Sequence, residues 1–317
     1  MTISYTRPLE HSWERMKAVL FRKPFPIESW FVMGFGAWLA DILTSNNGTA
    51  GSQWKTDKHE IGDMASQAAD FVANPTMIAV VFAVLVMAGI LLLVLAWVSA
   101  RAKFVFLENV VHGRAAFLDP WRRSGRLGNS LFLWNAVISF AWLLPIAFLL
   151  VPMRYAIASY LGGHGWGHVM IGPLTLGIVL ALVSALAIFV VCALTDDFVV
   201  PLMWKYDESA WVAWSRFRPL LLSRLGDFVA YMLFAVLIAL LAGIGVLLAG
   251  LLTCCLGLVL MVIPYIGTVV TLPLHFVFRA FGPMFLRQYG PEWDVWSAMT
   301  QPAGTEQPTE PTGPASY

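Results

Sequence analysis

Residues 228–278 read FVAYMLFAVLIALLAGIGVLLAGLLTCCLGLVLMVIPYIGTVVTLPLHFVF, 51 positions without one Asp, Glu, Lys or Arg. At 1.5 Å per residue a single helix through this run would be about 76 Å long, whereas a bilayer core of about 30 Å takes about 20 apolar residues. The run must fold back, and the small, uncharged stretch 251–257 is the expected turn. Three further runs lack charge: 71–100, 127–153 and 155–195. The first two fit one span each. In the third, the Gly- and His-rich part 161–168 leaves room for one span near 169–194. A shorter apolar segment follows Glu28 and runs to Thr44, with Asp41 near its end.

These runs predict an all-α polytopic membrane protein with spans near 29–44, 76–99, 129–152, 169–194, 227–250 and 256–287. Pro264 and Pro273 are expected to kink or break the last one. Residues 1–300 form a single transmembrane domain in this reading. The tail 301–317, rich in Pro, Thr, Gly and Glu, is disordered by composition. A cleaved signal peptide is the rival account of the first apolar segment. Ala37-Trp38-Leu39-Ala40 is a poor cleavage site, because Leu stands where the motif wants a small side chain.

Composition agrees. Of 317 residues, 59% are hydrophobic and 12% charged, and mean hydropathy is +0.72. A soluble domain carries about 25% charged residues, so a soluble enzyme and a disordered chain are both excluded. A net charge of +1 gives no case for nucleic acid, and three cysteines cannot form a disulfide framework.

The basic residues give an orientation. Arg7, Arg15, Lys17, Arg22 and Lys23 precede the first span. Arg101, Lys103, Arg114, Arg122, Arg123 and Arg126 lie in the 100–128 loop, and Lys205, Arg216, Arg218 and Arg224 in the 195–226 loop. Arg279 and Arg287 lie at the C-terminal end. Six spans place these 17 on one side and Lys55, Lys58 and Arg154 on the other, so the positive-inside rule puts both termini in the cytoplasm.

The loops before the third and fifth spans share a pattern. Arg126-Leu127-Gly128-Asn129 recurs 98 residues later as Arg224-Leu225-Gly226-Asp227, each after a Trp-bearing basic segment. Asn129 and Asp227 are expected to cap the spans they open. The pattern suggests a parallel internal repeat of helical hairpins, with 29–44 opening the first unit. Leu9, Trp13, Met16 and Leu20 mark one face of a helix ringed by basic residues, and Trp211, Trp214, Phe217 and Leu221 form a similar stripe. Such helices lie in the headgroup layer, so the expected partners are the bilayer and its anionic lipid headgroups. Nucleic acid is not expected, and no protein partner is legible. Gly177, Ala181 and Ala185, the pair Ala239 and Gly243, and the pair Gly245 and Ala249 have the spacing that lets membrane helices approach closely.

The search for chemistry finds little. Glu28, Asp41, Asp196, Asp227 and Arg279 fall near span ends. Asp196, Asp197, Asp207 and Glu208 are the one dense acidic group on the inner side, read as solvated loop charge. His164 and His168 are four apart among glycines, too flexible for a helical metal pair. His275 stands inside the last span as a packed or hydrogen-bonded residue. Cys254 and Cys255 are adjacent, a strained geometry for a disulfide, and Cys192, near the opposite end of its span, cannot reach them. No catalytic, cofactor-binding or metal residue is assigned, and no cofactor is expected.

A resemblance rests on Cys254-Cys255, Ile263-Pro264-Tyr265-Ile266-Gly267-Thr268, Leu272-Pro273, Phe278-Arg279-Ala280-Phe281 and Arg287-Gln288-Tyr289-Gly290-Pro291, with Pro24-Phe25, Trp30-Phe31 and Gly34-Phe35 near the start. These resemble uncharacterised bacterial multi-pass inner-membrane proteins. Val199-Val200-Pro201 through Trp214-Ser215 is loosely similar to the membrane domain attached to glycerophosphodiesterases, whose soluble catalytic domain has no counterpart here. The resemblance implies a bacterial inner-membrane protein of unknown role, and the phosphodiesterase activity is not carried over. The expected role is a non-enzymatic scaffold or regulator at the cytoplasmic face; the alternative is a transporter or channel for a small or lipidic solute.

Overall fold

Helix α3, Pro75–His112, is 38 residues long and has two unlike halves. From Met77 to Val94 its large apolar side chains are exposed, whereas Phe104, Val105, Leu107, Val110 and Val111 are fully buried. The sequence explains the change. The first half is apolar on every side, which suits lipid. The second half brings in Arg101, Lys103, Glu108 and Asn109, which need protein partners. The computed structural model of the chain describes residues 3–22, 26–43, 75–161, 168–253, 257, 263 and 265–299.

In order, the helices are α1 Thr6–Leu20, α2 Ile27–Asp41, α3, α4 Leu118–Arg123, α5 Gly125–Ala141, α6 Leu143–Leu161 and α7 His168–Leu194. A π-helical turn Thr195–Val199 follows, then α8 Val200–Tyr206, α9 Ala210–Ser223, α10 Leu225–Leu252, α11 Ile266–Val270 and α12 Leu272–Leu286. Three 3-10 turns end the described chain. The described residues contain no strand.

Among the described residues, four helical stretches are long and apolar enough to cross a membrane: Pro75–His112, Gly125–Tyr155, Gly172–Tyr206 and Leu225–Leu252. They cover the expected spans near 76–99, 129–152, 169–194 and 227–250. The other two expected spans take different forms. Helix α2 has 15 residues, about 22 Å, and packs Met33 and Ala37 against Phe106 and Val110 of α3. Of the last expected span, Tyr265 onward is described as α11 and α12, broken at Thr271 just before Pro273. Residues 254–256, including Cys254 and Cys255, lie outside the described residues, as do His164, the 44–74 segment and the 301–317 tail.

The core sits where the four long helices end together. Phe198, Phe217, Phe228, Tyr231, Phe281 and Phe285 are almost wholly buried and pack against one another at centroid distances such as 4.6 Å for Tyr231 with Phe285, tilted, and 5.2 Å for Phe198 with Phe228, edge to face. A second cluster joins Met16 and Leu20 of α1 to Leu272, Phe276 and Ala280 of α12. The buried face of α1 is Pro8, Ser12, Met16 and Leu20. Ser12 enters it because its hydroxyl donates to the Pro8 carbonyl at 2.7 Å, and Trp13 of the expected stripe is turned outward, 47% exposed.

The expected caps are corrected. Helix α5 starts at Gly125 and α10 at Leu225, so Asn129 and Asp227 lie inside their helices. Asn129 accepts from Trp97 Nε1 at 2.8 Å, and Asp227 sits in the first turn of α10, where a negative charge suits the helix dipole. The two Arg-Leu-Gly copies open long helices, yet their glycines differ. A Cβ on Gly128 would fall 2.3 Å from Arg101 Cγ, while one on Gly226 would meet nothing within 4 Å.

Candidate functional site

The π-helical turn at the end of α7 widens the backbone by one residue, a distortion often found at functional sites. It carries Asp196 and Asp197. Its position is fixed by Gly282 of α12, where a Cβ would lie 2.4 Å from the Asp197 carbonyl oxygen. Only glycine lets the two backbones come so close.

Charged and polar side chains from four other elements converge there. Lys103 Nζ of α3, with a side chain only 10% exposed, donates to Asp196 Oδ1 at 2.6 Å. The Tyr231 hydroxyl of α10 donates to Asp197 Oδ2 at 3.1 Å. Arg279 of α12 spends Nη1 on the Asp196 carbonyl at 3.2 Å and Nη2 on the Lys103 carbonyl at 2.9 Å, and its Nε–H is buried without a partner. His275, one turn earlier, bonds through Nδ1 to the Thr271 carbonyl at 3.0 Å and holds Nε2 3.7 Å from Asp41 Oδ2 of α2. A cleft of about 280 Å³ lies among Ala40, Asp41, Lys103, Phe106, Asp196, Asp197, His275, Phe278 and Arg279.

This corrects the reading of the acidic group as solvated loop charge. Asp196 and Asp197 are partly buried in the cluster, because the residues after them, Phe198 to Met203, belong to the core. Asp207 and Glu208 lie apart from it. Asp207, at φ 51°, pairs with Arg126 at 2.5 Å, and Glu208 pairs with Arg216 at 2.5 Å. The apolar run directly after Asp197 was the legible signal, since a solvated loop does not carry Phe-Val-Val-Pro-Leu-Met.

Aromatic rings mark the level of the cleft. Arg101 is held between Trp97 and Trp121 at 4.9 and 4.8 Å, and Ser99 donates to the Ala40 carbonyl at 2.6 Å. Tyr and Trp gather at membrane–water boundaries. Placed there, Trp97 leaves residues 75–96 of α3 for the hydrocarbon, about 33 Å at helical rise, which matches a bilayer core.

The chain belongs to DUF7544. The model of this family of unknown function matches residues 4–288, nearly the whole chain short of the Pro-rich tail. No curated protein and no solved structure matches. The family relation supports an uncharacterised group and gives no tie to the glycerophosphodiesterase membrane domain.

Other basic residues bind protein. Arg15 donates Nε to the Val110 carbonyl at 3.0 Å and Nη2 to the Val111 carbonyl, so it caps the C-terminal end of α3, and it lies 5.4 Å from the Trp296 ring. Burial lowers its pKa from the usual arginine range. Glu108, 5% exposed, is paired with Arg114 at 3.0 Å and Arg123 at 3.6 Å. Arg216 stacks 4.3 Å from Tyr206, and its bond to Glu208 raises its pKa.

Proposed function

We propose that this protein is a multi-pass protein of the bacterial inner membrane, with both termini in the cytoplasm, acting as a non-enzymatic scaffold or regulator through the helical platform at that face. The division of α3 into a bare half and a buried half supports it: the bare halves suit lipid, and the platform is left as the part that meets other molecules. Six crossings belong to the same reading. Helices α1 and α12 pack on the core at the inner ends of the long helices, while Pro75 and Leu252 stand at the opposite ends of α3 and α10. The first and last of the six are the 29–44 and 256–287 segments. The parallel repeat is proposed on the shared placement of α4 and α9 directly before α5 and α10.

Ser215 is exposed on α9, which makes Ser215→Cys in a cysteine-free background a direct test. A membrane-impermeant maleimide should label it in inside-out vesicles and not in intact cells. Labelling in intact cells would refute the orientation. The charged cleft favours a second reading, a transporter or channel for a small or lipidic solute. Sealed proteoliposomes that move no labelled solute or lipid support the scaffold, and protein-dependent flux would replace it with the transporter.

A further inference from the structure

Phe278 lines the charged cleft on one side and, on the other, an apolar groove of about 460 Å³. The groove is walled by Leu9 and Trp13 of α1, Ile238, Leu241 and Ala242 of α10, and Leu274 and Val277 of α12, with Glu10 at its rim. Its size falls within the range of small-ligand pockets, about 300–1,000 Å³. Ile238 to Ala242 lie further along α10 than Tyr231, toward the bare end of an apolar span, so this wall faces hydrocarbon.

We infer that cleft and groove form one site for a zwitterionic aminophospholipid of the inner leaflet, its headgroup in the cleft and an acyl chain in the groove. The inference rests on the membrane reading above. Three observations carry it. The Ala40 carbonyl of the cleft wall accepts from Ser99, two residues from Trp97, and tryptophans gather at headgroup depth. The cleft presents both signs of charge: Asp41 and Asp196 are its more open groups, 40% and 35% exposed, while Lys103 is held inside at 10%. Amine N–H groups suit the exposed sides of these two carboxylates, beside their contacts to His275 and Lys103. A phosphate suits His275, 29% exposed, beside the positive charge of the Arg279 guanidinium. The third observation is the shared Phe278 wall, which sets an apolar channel directly beside the polar one. A soluble zwitterion would use the first two features and not the third.

The test is a titration of the full-length protein in detergent, read by native mass spectrometry. The probes are lysophosphatidylethanolamine, lysophosphatidylglycerol with the same chain, and phosphoethanolamine. One lysophosphatidylethanolamine should bind about tenfold or more tightly than either comparison, roughly 1.4 kcal/mol. Asp41→Asn should remove that preference, and Ala242→Trp, which fills the groove, should weaken both lysolipids. Equal binding of the glycerol lipid, equal binding of the free headgroup, or an unaffected Ala242→Trp variant would each overturn the proposal. In the wild type, a phosphatidylethanolamine with a diazirine-bearing chain should crosslink to 238–242 and 274–278; crosslinks confined elsewhere overturn it even where a variant misfolds. Retention in carbonate-washed membranes reads the membrane assignment separately, so a protein retained there that ignores the aminolipid refutes only the site.

Discussion

Gly128 and Gly226 hold matching places in the Arg-Leu-Gly pair, and physics separates them. Gly128 lets α5 lie against Arg101, with Arg101 Cα only 3.1 Å from where its Cβ would be. Overpacking of this kind costs about 1–3 kcal/mol. Gly128→Ala should therefore lower the unfolding midpoint in detergent, while Gly226→Ala should hold or raise it, since alanine is favoured over glycine inside a helix by about 1 kcal/mol. Equal losses would mean that Gly226 has a close neighbour. Arg15 gives a second prediction. Its side chain satisfies two of the last carbonyls of α3, which have no partner within the helix, so Arg15→Met leaves them bare and should cost about 1–3 kcal/mol. Lysine, a compact charge without the fork, should restore only part of that. These roles were not legible in the sequence. Arg15 reads as one of five basic residues near an amphipathic face, and its acceptors lie 95 and 96 positions away.

At the scale of elements, the long hydrophobic runs placed four helices, while the second span expected in 228–278 is described only from Tyr265 onward, as α11 and α12. The four helices that can span a membrane stand where the uncharged runs put them. The 29–44 segment was ambiguous, because about a dozen apolar residues serve equally well to enter a membrane or to pack on a neighbouring helix. Close approach is similarly mixed. Gly177 touches α6, with Phe148 O 2.5 Å and Pro152 Cγ 2.7 Å from a Cβ placed there, whereas Gly243 and Gly245 face open space. Small-residue spacing thus marked one helix contact within the chain, between α6 and α7, while on α10 it marks none there. Helix α1 carries the element-scale prediction. Its periodicity marked Met16 and Leu20 correctly but could not tell lipid from protein as the covering partner. Leu20→Ala should cost about 2–5 kcal/mol, as for a buried leucine, and loosen α1 from α12. Trp13→Ala should cost well under that, because Trp13 is half exposed. Proteolysis after Lys17 in the two variants reads the difference: faster cleavage in Leu20→Ala alone is expected, and equal cleavage would place Trp13 in the packing.

For the whole molecule, burial is unevenly shared. The platform keeps its aromatic core from water by protein contact, while the long helices depend on something else to cover them. Along α3 that covering is on every side: the eighteen-residue window that marks it as a span is 0% buried, its small residues Ala79, Ala83 and Ala88 are exposed, and a Cβ on Gly89 would meet nothing within 4 Å. Side chains with no protein neighbour in one copy are covered by lipid or by a second copy, and the two leave different traces. Cysteines placed singly at residues 80–94 and probed in nanodiscs with a lipid-soluble maleimide should react at every position, with no 3.6-residue rhythm. At 104–111 they should stay protected from lipid-soluble and water-soluble reagents alike. A rhythm of protection within 80–94, one face silent and the other reactive, would show a helix of another copy lying along α3. The bare half would then be an oligomer interface, with protein rather than lipid as its cover.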